Sequence, residues 1–234
     1  LDMYAFVLKD PRILTGYKNT ILYVVVGTSI SLLITAMGGY ALSRKNLVFG
    51  KTIMLGIVFT MLFNGGMIPT FLVVRELGIM NTMWAMVLPG AVSTWNLIIM
   101  RTFFQGLPKE LEDSGKIDGL NDIGVFRRII LPLSKPLLAT IGLFYAVALW
   151  NNFMMALLYL REESLYPLQV VLRSIVLAGN VNSADAQQGS GEDIIIEDSL
   201  RFATIIVSTL PIIMVYPFIQ KYFVKGVLIG SVKG

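Results

Sequence analysis

NTILYVVVGTSISLLITAMGGYAL, residues 19–42, contains no Asp, Glu, Lys or Arg. As a helix rising about 1.5 Å per residue, it reaches across a hydrocarbon core roughly 30 Å thick. Four further runs share this character: residues 53–74, 83–100, 137–160 and 202–219. Backbone groups in lipid must be satisfied within their own segment, so each run is expected to be helical. A β-barrel would show short alternating segments instead. The expectation is an all-α polytopic membrane protein with five spans and one domain, residues 1–234.

Composition agrees with that reading. Of 234 residues, 55 % are hydrophobic and 15 % charged, against about 25 % charged in soluble domains. Mean hydropathy is +0.72. The chain has no His and no Cys, which excludes zinc sites built on those residues, thiolate catalysis and Ser-His-Asp triads. No catalytic residue, metal site or nucleic-acid partner is expected.

Basic residues set the expected orientation. The 44–51 loop, the 101–135 loop and the tail after residue 220 hold twelve of the 19 Lys and Arg. The acidic residues divide the other way, five against ten. The Lys- and Arg-rich side, with the C-terminus, is therefore expected in the cytoplasm. Five spans then put the N-terminus outside. A chain opening at Leu1 reads either as lacking an upstream span or as a five-helix protein processed there.

Two spans carry interruptions. Asn64-Gly65-Gly66 with Pro69 breaks the second, and Pro89-Gly90 breaks the third. Non-helical backbone at membrane depth needs protein or a watery cavity beside it. Each break is thus either a kink against a neighbouring helix or part of a cavity.

The polar loop between the third and fourth runs has helical signals of its own. In GLPKELEDSGKIDG, residues 106–119, Pro108 suits a first turn, and Glu110, Glu112 and Asp113 complement a helix N-terminus. Gly119 can end the helix, and Asn121 can cap a second one running through Phe126 and Ile129. A helix, a turn and another helix between two spans make a docking surface for a cytoplasmic partner.

The longer run KELEDSGKIDGLNDIGVFRRIILPLSKP, residues 109–136, resembles the EAA loop of importer-type ABC transporter permeases. That pattern is Glu-Ala-Ala, three residues, Gly, nine residues, Ile, one residue, Leu-Pro. Gly119, Ile129, Leu131 and Pro132 fall at its spacings, while Asp113, Ser114 and Gly115 depart from its three leading residues. The end QKYFVKGVLIGSVKG is similar to that of maltose-type carbohydrate permeases. SRKNLVFGK, GGMIPTFLVV, LIIMRTFF and SLYPLQVVLR resemble the branch associated with oligosaccharides and polysaccharide fragments.

The resemblance implies a type I permease of six spans in the bacterial cytoplasmic membrane. Its partners would be a second, related permease, two cytoplasmic ATPases that bind ATP and Mg, and an extracytoplasmic solute-binding protein. Residues 105–132 would be the coupling loop, docking an ATPase through Glu112, Asp113, Ser114, Gly115, Ile117, Asp118 and Gly119. The tail, residues 221–234, would contact the ATPases through Lys225, Gly226 and Gly230, or lie free at the lipid surface. The chain itself should not hydrolyse ATP. Gly50-Lys51-Thr52 would need a glycine at position 45 to wrap phosphates, and Lys45 stands there.

Sugars are held by paired hydrogen-bonding groups and aromatic faces. Tyr145, Trp150, Asn151, Asn152 and Phe153 concentrate both in the fourth run, and Ser93, Trp95 and Asn96 do so in the third. Two adjacent amides at membrane depth need partners. They either line a substrate path or bond across a helix interface, with Trp150 merely packing. The outer loop, residues 161–200, either reaches toward the binding protein or is a passive, solvated loop with a flexible tip at residues 178–193. Permease of an oligosaccharide importer is the leading expectation; an importer for another small solute, or an ATP-independent secondary carrier, is the alternative. The spans lack the carboxylates that proton-coupled carriers use.

Overall fold

The computed structural model describes residues 10–175 and, beyond them, residues 202, 203, 205–207, 209–211, 213, 214 and 217. Helix α1 runs unbroken from Pro11 to Ser43. It starts eight residues before the apolar run because Asp10 caps it, accepting a 2.8 Å hydrogen bond from the Arg12 amide, and Pro11 occupies the first turn.

The buried face of α1 is mostly small and polar, Gly16, Thr20, Gly27, Ser31, Thr35 and Gly39 among others, with the larger Ile13, Tyr23 and Tyr40 buried beside them. Its exposed side carries Leu14, Ile21, Leu22, Val25, Leu33 and Met37. This is the inverse of a soluble helix. Lipid tails are as apolar as leucine, so helices associate through close backbone approach along small residues. A Cβ at Gly27 would stand 2.7 Å from Leu149 Cδ1, and one at Gly39 would stand 2.9 Å from Met100 Cγ. α1 is accordingly the central helix, packed on α5 (Thr94–Gln105) and α8 (Lys135–Trp150).

The second run folds as α2 (Gly50–Leu62) and α3 (Met67–Glu76), bent by 114° at the expected Asn64-Gly65-Gly66 break. The third run is not one helix. α4 (Met83–Val87) stops before Pro89-Gly90, and α5 restarts at Thr94 with Ser93 as its cap. Pro89 has no N–H for the ladder, which ends the first piece. The fourth run also corrects to two pieces, α8 and then α9 (Met154–Tyr159), divided at Asn151–Phe153. The described residues between 202 and 217 are helical. Among the described residues, one helix alone is long and apolar enough to cross a membrane, and up to three spans result if each bent pair counts as one.

Between α5 and α8 lie α6 (Glu110–Ile117) and α7 (Asp122–Val125). α7 continues through a π turn, Phe126–Ile130, and a short turn, Leu131–Leu133. The chain then bends by 83° into α8. After α9, a 3-10 turn at Glu163–Leu165 leads to helical residues 168–175, α10. One apolar core gathers Tyr40, Met100, Phe104, Val125, Ile130 and Ile141 beneath the polar loop. A second, at the start of α1, joins Ile13 to Leu168, Val171, Ala203 and Val207.

Candidate functional site

The polar loop is a two-helix unit whose corner is Gly119. Its φ of +80° is left-handed, a region glycine enters without a Cβ penalty. The Gly119 amide donates to Lys116 O at 3.0 Å, and the Leu120 amide donates to Gly115 O at 2.9 Å. Together these form a Schellman termination, which satisfies the last carbonyls of α6. Asn121 then caps α7, its Oδ1 accepting from the Gly124 amide at 2.8 Å.

Gly115 sets how closely the two arms cross. It is buried, and a Cβ there would lie 2.8 Å from Ile129 Cδ1 and 3.0 Å from Val125 Cγ2. The GxxxG spacing of Gly115 and Gly119 lies outside the apolar runs, so it does not imply packing between membrane helices. The close crossing here is between the loop's own helices.

The fold divides the expected docking residues into two sets. Asp113, Ser114, Ile117, Asp118 and Gly119 are exposed, whereas Gly115 faces inward and Glu112 is half-buried. Ile117 is 86 % exposed, and Ile123, absent from the expected set, is 75 % exposed. Both are large apolar side chains displayed on a loop that is otherwise charged. Ile123 lies among the nine unspecified positions between Gly119 and Ile129, so the EAA pattern does not single it out.

Arg44, which follows α1, reaches both arms of the loop. Its guanidinium pairs with Glu112 of α6 and donates to Asp122 Oδ1 of α7 at 3.0 Å. It also stands 4.7 Å from the centroid of the Tyr40 ring. The Tyr40 ring stacks on Phe126, with centroids 4.8 Å apart. Arg101 Nε donates to Leu42 O at 3.0 Å, so the 44–51 and 101–135 loops meet at one end of the molecule.

The aromatic and amide candidates in the broken helices prove to have different surroundings. Tyr145 is buried, its hydroxyl 2.7 Å from Thr35 Oγ1 and accepting from the Ser93 amide at 2.9 Å. That hydroxyl ties α1, the α4–α5 break and α8 together. Ser93 Oγ accepts from the Asn96 amide N–H at 3.4 Å, closing the first turn of α5. Asn96 is buried, and among the described residues no hydrogen bond reaches its side chain. Trp95 is 61 % exposed.

At the α8–α9 break, Asn151 is exposed and donates back to Val147 O at 3.0 Å. Asn152 Oδ1 accepts from the Met155 amide at 3.3 Å. Both amides thus serve the interruption itself. The Trp150 ring meets Tyr17 edge-on at 6.4 Å, and its buried Nε1 finds no partner among the described residues. Phe153 lies under Arg173, whose guanidinium is 4.6 Å from its centroid. Sequence reading put every cation outside the spans; α10 brings this one onto the break. Lys225, Gly226, Gly230 and residues 176–200 fall outside the described residues.

Residues 39–229 match the family described as binding-protein-dependent transport system inner membrane component. The polygalacturonan/rhamnogalacturonan transport system permease protein YtcP of Bacillus subtilis is 47 % identical, over 100 % of this chain and 82 % of its own length. The arabinooligosaccharides transport system permease protein AraQ of Halalkalibacterium halodurans is 30 % identical, over 100 % of this chain and 80 % of its own. Among solved structures, a bacterial ABC transporter involved in import of the acidic polysaccharide alginate superposes with a TM-score of 0.83. It is 35 % identical and covers 94 % of this chain and 79 % of that one.

Proposed function

The chain belongs to the binding-protein-dependent transport system inner membrane component family, and from that membership we propose that it carries acidic polysaccharide fragments into a bacterial cell. It is a multi-pass, all-α permease subunit of an ABC importer for oligosaccharides or polysaccharide fragments, and not itself an ATPase. Membership implies ATPase and binding-protein partners. In the assembly proposed here, a second, related permease completes the translocation path. Two cytoplasmic ATPases hold ATP and Mg, and a solute-binding protein delivers cargo on the other side. The Lys- and Arg-rich loops and the C-terminus face the cytoplasm.

The mechanism proposed is alternating access driven through residues 105–132. The exposed face of Asp113, Ser114, Ile117, Asp118 and Gly119 docks on an ATPase, with Ile123 as a second apolar anchor. Because Gly115 lets α6 cross α7 closely, the unit moves as one body. Its displacement enters α8 through the 83° bend and reaches the break at Asn151–Phe153. Asn96, Trp95 and that break offer amides and aromatic faces to a sugar.

The observation that carries the cargo reading is the agreement of two relatives. The one 47 % identical is named for polygalacturonan and rhamnogalacturonan, and the solved importer carries alginate. Polygalacturonan and alginate are polymers of sugars bearing carboxylates. Arg173 supports the same reading: it is exposed over Phe153, and no carboxylate among the described residues pairs with it. A neutral cargo is the second reading, supported by the arabinooligosaccharide relative.

The test uses the complete complex in proteoliposomes, supplied with a galacturonate trimer or an arabinose trimer. Uptake of the acidic trimer should dominate. Arg173→Gln should cut it roughly tenfold, the scale of one charge-assisted hydrogen bond, and leave neutral uptake alone. Preferred uptake of the neutral trimer, with Arg173→Gln silent, would overturn the acidic cargo while leaving family membership intact.

A further inference from the structure

We propose that Arg44 is a positioning residue that locks the coupling loop to the central membrane helix, so that movement of the loop moves α1 as well as α8. The proposal rests on the reading of residues 105–132 as the coupling element.

Helix α1 ends at Ser43, and Arg44 is its C-cap, with extended backbone. A cation there is favoured by the negative end of the helix dipole. The planar guanidinium has donors aimed in two directions, a geometry lysine does not offer. One arm pairs with Glu112 on α6, and the other with Asp122 on α7. These carboxylates lie on opposite sides of the Gly119 corner, so one side chain grips both arms of the unit. Its face covers Tyr40 at 4.7 Å, and Tyr40 stacks in turn on Phe126. The clasp is therefore part ionic and part aromatic, and both parts join the same two bodies.

Shielding separates this pair from an ordinary surface contact. The side chains of Arg44 and Glu112 are 22 % and 26 % exposed, so solvent screens them less than a fully wet pair. Lys116, 3.7 Å from Asp122, is 55 % exposed and lies on α6 itself. It cannot tie the loop to the membrane helix.

What the clasp grips is the hub of the fold. α1 meets α5 where Gly39 faces Met100, and meets α8 where Gly27 faces Leu149. Thr35 holds the Tyr145 hydroxyl of α8. A loop displaced by its ATPase drives α8 directly through the covalent chain. Through Arg44 it also drives α1, and thereby the two helices packed on it. Without Arg44 the loop can still dock and still tilt α8, but α1 lags. ATP is then spent with less transport.

The test is a coupling ratio, sugar taken up per ATP hydrolysed, in the complete reconstituted complex with loaded binding protein. Arg44→Ala should lower the ratio about fivefold, within the range seen when one member of an interacting pair is removed. Complex yield and basal hydrolysis should hold. Arg44→Lys should recover part of the ratio. Arg44→Ala added to Glu112→Gln and Asp122→Asn should lower it little further, because the clasp is already gone. A purely structural role would instead lower hydrolysis and uptake together, in step with yield. If Arg44→Ala fails to assemble, the same ratio in Arg44→Lys decides: a value equal to the parent's overturns the proposal.

Cross-linking from Ile117→Cys separates this proposal from the reading beneath it. Capture of an ATPase with an unchanged ratio in Arg44→Ala overturns the clasp alone. No capture of an ATPase in the otherwise unaltered chain overturns the coupling-loop reading, and the clasp with it.

Discussion

Tyr145→Phe removes one oxygen and tests whether this residue holds the helices or the sugar. The hydroxyl is 2.7 Å from Thr35 Oγ1 and 2.9 Å from the Ser93 amide, and Tyr145 and Thr35 are buried. Each lost bond costs about 1 kcal/mol, and a buried donor left without a partner adds about 1–3 kcal/mol. Thr35 sits inside α1 and can turn its hydroxyl to a carbonyl four residues back, so its share of the penalty is small. The Ser93 amide has no such recourse within its own turn. The expected loss is about 2–3 kcal/mol. For a chain of this size that corresponds to a fall of roughly 4–12 °C in thermal midpoint, read on the purified complex by a thermal-shift assay. Thr35→Val should cost less, and the double variant should fall short of the sum. Uptake per folded complex should stay near the parent's. An unchanged midpoint with collapsed uptake would refute this reasoning and place the Tyr145 hydroxyl on the sugar.

Gly115→Ala sets a helix-propensity gain of about 1 kcal/mol against crowding at Ile129 Cδ1 and Val125 Cγ2. The first is the free end of a flexible side chain, so near-neutral stability is expected, whereas Gly115→Leu should separate the arms and abolish coupled hydrolysis. Gly119→Ala meets no atom within 4 Å, but its left-handed φ should cost about 1 kcal/mol, measured as a lower midpoint of the complex. Gly119→Trp should, in addition, uncouple hydrolysis from uptake, because the corner is exposed toward the proposed ATPase surface. Asn152→Ala should lose about 1 kcal/mol of stability with the cap on Met155. Asn151→Ala, whose amide bonds only its own exposed helix end, should leave the midpoint alone and lower uptake by the equivalent of about 1–3 kcal/mol.

Local chemistry was legible in the sequence wherever a residue's role depends on its neighbours in the chain. Asn64-Gly65-Gly66 and Pro89-Gly90 break their helices because backbone freedom and a missing N–H act at the residue itself. Gly119 and Asn121 end one helix and start the next for the same reason. The apolar runs declared a membrane protein, since lipid permits few backbone solutions. What the sequence could not show is which helices meet. Apolar side chains face lipid and protein alike, so hydrophobicity does not mark a packing face. The small-residue stripe of α1 does, but it selects Leu149 and Met100 only once three helices are in place. Tyr145 offers an aromatic face and a hydroxyl of the kind sugars are held by, but only the tertiary structure shows that hydroxyl bonded to Thr35. Asn151 and Asn152 drew notice as polar groups at depth, and the fold shows them serving the ends of two helices. Arg44 counted only as one cation among many. Its two carboxylates lie on separate helices far along the chain, and only the folded loop brings both within reach of one guanidinium.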